Sequence, residues 1–103
     1  MTQELESIVA GAREAFLRAG TPADLENAKA QFLGKSGRIT ELMKGMGALS
    51  VDEKKSRGAA INQAKVRVEA INHAIRGIQL ALVLVVGLTL LAHLVTPSPS
   101  PPR

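Results

Sequence analysis

The side chains best suited to chemistry in this 103-residue sequence are lysines and arginines that could contact phosphate. Basic groups on a rigid helix bind phosphate oxygens, which positions a nucleic acid and makes its affinity depend on salt. The candidate phosphate-binding residues are Lys35, Arg38, Lys44, Lys54, Lys55, Arg57 and Lys65. Because Glu41, Asp52 and Glu53 are interleaved with them, the same residues also fit an ordinary solvated helix face.

Catalytic and metal-binding chemistry finds little support in the sequence. No cysteine occurs, so disulfides, thiolate metal sites and cysteine nucleophiles are excluded. His73 has only Glu69 at helical spacing, which is an ordinary i, i+4 pair, and His93 has no such partner. Gly34-Lys35-Ser36 lacks the glycine five residues earlier that a phosphate-binding loop needs. We therefore predict no catalytic residue and no metal site in this chain.

The charged residues divide the chain into two unlike parts. Residues 1–76 contain 12 basic and 9 acidic side chains, whereas residues 77–102 contain no charged side chain. The absence of Trp and Tyr argues against folds that stack RNA bases on aromatic rings. We divide the chain into residues 1–76, here called the arm, an apolar helix at 77–96 and a disordered Pro/Ser-rich tail at 97–103.

The spacing of apolar residues and the capping residues predict that the arm is mostly helical. The spacing of apolar residues predicts a first helix over residues 3–19, ended by Gly20. Thr21 and Pro22 predict the cap and first turn of a second helix. Gly34 to Gly37 interrupts that helix, although the apolar phase continues to Leu49, which predicts either a kinked helix or two stacked helices.

The third and longest helix begins at a capping box, Ser50 to Glu53. Its apolar seam keeps a 3, 4 spacing over three heptads. The seam residues are Ile61, Ala64, Val68, Ile71, Ile75, Ile78 and Leu82. The predicted fold class is all-α: an antiparallel coiled-coil helical hairpin or slim bundle, followed by one long apolar helix. Such a thin core provides only marginal stability, so we expect the arm to depend on a partner or on a larger body.

Three motifs in the arm occur in an order and at separations that resemble those of a known protein family. They are Phe32-Leu33-Gly34-Lys35-Ser36-Gly37, Thr40-Glu41-Leu42-Met43-Lys44-Gly45-Met46 and Gly58-Ala59-Ala60-Ile61-Asn62. With them, the chain up to about residue 70 resembles the N-terminal arm of the bacterial phenylalanine–tRNA ligase alpha subunit. The remaining third of the chain does not match that family.

The resemblance implies an antiparallel helical coiled coil that touches the body of the phenylalanine tRNA. It implies a beta subunit as the partner, a cytoplasmic location, and ATP and magnesium as cofactors of the full-length ligase alone. After about Arg67 the family continues into a class II catalytic domain, whereas this chain becomes apolar. The resemblance therefore extends to the arm and not to the aminoacylation chemistry, so the chain corresponds to a truncated or frameshifted fragment.

Residues 78–95, here called the apolar segment, form eighteen positions of which twelve are Ile, Leu or Val. As a helix they would span about 27 Å, close to the roughly 30 Å hydrocarbon thickness of a bilayer. At about −0.4 kcal/mol each, the twelve contribute on the order of −5 kcal/mol towards insertion. Three interpretations remain: a membrane anchor with the arm on the cytoplasmic side, a helix buried in an oligomer, or a stretch read out of frame. The alternative function is accordingly a small tail-anchored coiled-coil protein that binds a protein partner.

Overall fold

The computed structural model describes residues 2–95, except for the side chain of Thr2. These residues form four α-helices and one turn of 3₁₀ helix, and they contain no β-strand. The helices are α1 (Thr2–Arg18), α2 (Pro22–Leu33), α3 (Arg38–Lys44) and α4 (Val51–Val95), with the 3₁₀ turn at Gly45–Ala48. The all-α fold class is therefore confirmed. The predicted Pro/Ser tail at 97–103 lies outside the described residues.

The ends of the helices follow the local chemistry of the sequence. The Asp24 N–H donates to Thr21 Oγ1 at 3.1 Å, and Pro22 occupies the first turn of α2, where its missing N–H costs nothing. The Glu53 N–H donates to Ser50 Oγ at 3.3 Å, which caps α4. Both predicted caps are confirmed, and α1 ends one residue before the predicted boundary.

The contacts between helices define a slim bundle rather than a simple hairpin. Glu6 meets Arg67, and Ala19 meets Gln79, so α1 runs parallel to α4. Glu26 lies near Arg76, so α2 runs in the opposite direction. Met46, in the 3₁₀ turn that follows α3, lies near Gly58 at the start of α4. The result is a rod with extents of 82 × 20 × 16 Å.

One apolar core holds the arm together. Phe16 and Phe32 meet edge to face at its centre, with ring centroids 5.9 Å apart. The buried apolar residues are Leu5, Ile8, Val9, Ala12, Phe16, Leu25, Ala28, Phe32, Ile39, Ile61, Ala64 and Val68. The predicted seams of α1, α2 and α4 thus face one another. Asn72 is also buried, with 3% of its surface exposed, which the seam pattern did not predict.

The predicted seam of α4 is wrong at its C-terminal end. Ile71 and Ile75 pack against the core, but Ile78 and Leu82 are each 59% exposed. Because α1 ends at Arg18 and α2 begins only at Pro22, neither helix extends far enough to cover these two side chains. The apolar residues form the C-terminal part of α4, which is continuous through residues 76 and 77.

Candidate nucleic-acid interface

The break between α2 and α3 is a tight turn that presents Lys35 and Ser36 to solvent. The Gly34 N–H donates to the Ala30 carbonyl, and the Gly37 N–H donates to the Gly34 carbonyl, each at 2.9 Å. The Thr40 hydroxyl also donates to the Gly34 carbonyl, at 2.7 Å. Because the turn is bonded to the helices on both sides, the position of Lys35 is fixed by the fold.

Close backbone packing explains the two glycines of this turn. A Cβ added to Gly37 would lie 2.5 Å from the carbonyl carbon of Phe32, and one added to Gly34 would lie 2.5 Å from the carbonyl oxygen of Ala30. Neither backbone atom can move aside as a flexible side chain could. The prediction of a helix break between Gly34 and Gly37 is confirmed, in the form of two helices that share a core face.

Lys44 and Arg38 extend from α3 beside the turn. The Lys44 ammonium donates to the Lys35 carbonyl at 2.9 Å and lies 3.6 Å from the Glu41 carboxylate. Arg38 borders an open groove together with Glu4, Ser7, Ser36 and Glu41. Lys44 is therefore partly neutralised by its neighbour, whereas Arg38 forms no ion pair within residues 2–95.

The start of α4 brings further basic residues to the same end of the rod. Lys54, Lys55 and Arg57 are exposed in its first two turns. Arg57 borders a second groove with Glu4, Glu41 and Met46, which joins α4 to α3. We call this end the tip; it comprises residues 34–61 together with the first turns of α1.

The structure thus gathers most of the candidate phosphate-binding residues and separates one from them. Lys35, Arg38, Lys44, Lys54, Lys55 and Arg57 all lie at the tip. Lys65 lies eight residues beyond Arg57 on α4, about 12 Å along the helix, and is half-buried. Acidic Glu4, Glu41, Asp52 and Glu53 share the tip, so its excess of positive charge is modest.

Two basic residues further along α4 are engaged in ion pairs that sequence spacing did not reveal. Arg67 donates from Nη1 and Nη2 to the two carboxylate oxygens of Glu6 on α1, at 2.5 and 3.2 Å. Its hydrogen bonds hold the pKa of Glu6 below the ordinary carboxyl value, and Glu6 in turn raises the pKa of Arg67. Arg76 lies 3.9 Å from Glu26. These two arginines join helices, whereas the basic residues at the tip face solvent.

The structure supplies no alternative site with a different chemistry. His73 and His93 are exposed, and residues 2–95 contain no cluster of three side chains that could hold a metal ion. The grooves at the tip are open and bordered by mixed charges. Within the described part of the chain, the basic tip is therefore the site whose side chains best suit an anionic ligand.

Comparison with known proteins identifies the class of domain to which this rod belongs. A family model described as aminoacyl tRNA synthetase class II, N-terminal domain, matches residues 20–76. The chain belongs to this family, which confirms the resemblance read from the motifs of the arm. No solved structure matches the chain.

Similar curated proteins include phenylalanine–tRNA ligase alpha subunits from several bacteria. The one from Variovorax paradoxus (strain S110) is 81% identical over 67 residues, covering 65% of this chain and 19% of that protein. The one from Albidiferax ferrireducens is 72% identical over 71 residues, covering 68% of this chain and 20% of that protein. The chain therefore spans about one fifth of the length of these relatives. The family match ends at residue 76, so the apolar segment lies outside it.

Proposed function

We propose that the arm binds the sugar–phosphate backbone of a tRNA, as the N-terminal part of a phenylalanine–tRNA ligase alpha subunit. The observation that carries the proposal is the tip, where a hydrogen-bonded turn, α3 and the start of α4 present six basic side chains to solvent. Arg can grip a phosphate with two nitrogens, and Lys supplies a compact charge that suits the same oxygens. The similar proteins, named as tRNA ligase alpha subunits, supply phenylalanine-specific tRNA as the ligand.

The proposed ligand is a nucleic acid rather than a protein helix because the seams of the arm are already occupied. Ile61 is 1% exposed and Val68 is fully buried, each inside the bundle of this chain. The exposed large apolar residues of the arm, such as Leu17 and Val51, are isolated along the rod. A coiled-coil partner would need a continuous apolar stripe, which the arm does not present.

Within this proposal, aminoacylation depends on parts that the described residues do not supply. ATP and magnesium would act on a class II catalytic domain, and the beta subunit would complete the ligase. In the cytoplasm, the arm would increase the affinity of that assembly for tRNA and would position the bound tRNA. We propose no catalytic residue among residues 2–95.

The test is binding of the full chain, held in a nonionic detergent, to phenylalanine tRNA at low and at physiological salt. Replacing Lys35 and Arg38 together by Ala should weaken the binding, because the change removes two positive charges from the tip. The matched control replaces Arg13 and Arg18 by Ala, which removes the same charge from exposed positions on α1 outside the tip. Absent binding, or equal losses in the two variants, would refute the proposal.

A further inference from the structure

The apolar segment is exposed on all of its faces. Every residue from Leu80 to Val95 is exposed, although the stretch consists almost entirely of Leu, Val, Ala and Gly. The most exposed of the large side chains is Leu94, at 84%, and the least exposed is Leu80, at 51%. Water is a poor solvent for so large a continuous apolar surface, so a different environment must cover it.

The polar side chains of the segment lie near its ends or bond within the helix. Thr89 donates its hydroxyl hydrogen to the Val85 carbonyl at 2.8 Å, so this hydroxyl is satisfied within its own helix. Gln79 lies at the end nearer the arm, where its side-chain amide bonds to the Ala19 carbonyl. His93 lies near the opposite end of the segment. The middle, from Leu80 to Leu88, carries no polar side chain.

The length and flanks of the helix fit a lipid bilayer. α4 is long and apolar enough to cross a membrane, and its most apolar 18-residue window has a mean hydropathy of 2.4 with no part of it buried. Residues 78–95 rise about 27 Å as a helix, against a hydrocarbon core of about 30 Å. Arg76 lies just before the segment and is paired with Glu26 outside it. The charged residues therefore stop where the hydrocarbon would begin.

We propose that the apolar segment crosses a lipid bilayer as a single helix and holds the arm at the cytoplasmic membrane surface. A second copy of the chain would cover only one face of each segment, because a two-helix seam leaves the outer faces exposed. Lipid covers all faces at once, as the all-round exposure requires. Lys65, Arg67 and Arg76 lie within the 20 positions before the segment, and basic residues so close to a membrane helix favour the cytoplasmic side. This inference is independent of the proposed tRNA binding, since it concerns residues outside the family match.

The test is flotation of the full chain, synthesised in the presence of neutral phosphatidylcholine vesicles and washed with about 1 M salt, where the Debye length is only about 3 Å. One variant is Leu84→Arg, in the middle of the segment. Its matched control is Leu17→Arg on α1, because Leu17 and Leu84 are similarly exposed, at 68% and 65%. The wild-type chain and Leu17→Arg should float with the vesicles. Flotation of Leu84→Arg should fall at least about tenfold, because Arg at a membrane-helix centre is strongly unfavourable.

A second readout separates insertion from a folding defect and from surface binding. Proteinase K added outside sealed vesicles should digest the arm and leave the apolar segment intact until detergent is added. Circular dichroism should show an unchanged arm in Leu84→Arg, because the core ends at Ile75. Flotation only with anionic vesicles, or release by salt, would overturn the inference in favour of surface attraction by the arm. A wild-type chain that stays as a soluble oligomer or sediments as an aggregate despite the vesicles would also overturn it.

Discussion

Gln79 donates a hydrogen bond from its side-chain nitrogen to the backbone carbonyl of Ala19, 3.0 Å away, although the two residues are 60 positions apart. The carbonyls in the last turn of a helix lack partners within that helix, so Gln79 satisfies a group at the end of α1. The next residue of α4, Leu80, is already 51% exposed. This bond therefore marks the place where the bundle ends and the uncovered part of α4 begins.

Replacing Gln79 by Ala should destabilise the arm. Loss of this single hydrogen bond is expected to lower its free energy of unfolding by about 1 kcal/mol. The measurement is chemical denaturation of the full chain in a nonionic detergent, followed by circular dichroism. Thr89→Val is the control, because the Thr89 hydroxyl bonds only within α4. An equal loss in both variants would contradict the role given to Gln79.

Replacing Gly37 by Ala should destabilise the arm more strongly, by about 2 kcal/mol, because the new Cβ would collide with the backbone of Phe32. Gly45→Ala is the control, since an added Cβ there meets nothing within 4 Å and its backbone is already helical. That change should stabilise the arm by about 0.4–1 kcal/mol. Thermal unfolding of the two variants compares them directly. Changes in melting temperature of similar size and the same sign in the two variants would show that the turn can accommodate a Cβ at residue 37.

The ion pair between Glu6 and Arg67 should make stability depend on acid pH. Because the pKa of Glu6 is lowered in the folded state, its contribution is present above the ordinary value of 4.5 and is lost as the pH falls through the lowered pKa. The melting temperature of Glu6→Gln should therefore lie below that of the wild type at neutral pH and converge with it in acid. Added salt should also shrink the difference, since both side chains are about half exposed. A difference independent of both pH and salt would contradict the pairing.

Replacing Asn72 by Leu should leave stability unchanged or raise it by about 1–2 kcal/mol. Asn72 is 3% exposed, and its side-chain nitrogen has no hydrogen-bond partner among residues 2–95. A buried amide without a partner costs free energy that an apolar side chain avoids. The control is Asn62→Leu at an exposed position of the same helix, where no such gain is expected. Marked destabilisation by Asn72→Leu in denaturant titrations would show that the amide has a structural role.

Local rules predicted the parts of the fold that depend on neighbours in sequence. The caps at Thr21 and Ser50 follow from residue type. The buried seam from Ile61 to Val68 follows from the spacing of apolar residues. The seam prediction is wrong at Ile78 and Leu82 because their exposure depends on where α1 ends, which the pattern of α4 does not contain. The burial of Asn72 and the pairing of Arg67 were missed for the same reason.

The sequence was enough to predict which basic residues could form the interface. It was not enough to predict how they are arranged in space. The motif around Gly34 and Gly37 predicted a helix break with Lys35 exposed beside it. Lys35 lies in the turn after α2, Arg38 on α3 and Arg57 on α4, so their position at one end of the rod depends on the packing of α3 on α4. Their convergence could therefore be seen only in the folded chain.

The salt dependence of phenylalanine tRNA binding tests the central claim, that the tip lies along a nucleic-acid backbone. Each phosphate contact contributes about −0.7 to −0.9 to the slope of log affinity against log salt, so about four contacts predict a slope near −3. Replacing Lys35 and Arg38 by Ala should reduce its magnitude by about 1.4–1.8, whereas replacing Arg13 and Arg18 should leave it nearly unchanged. A flat line for the wild type, or one common slope for all three proteins, would contradict the account.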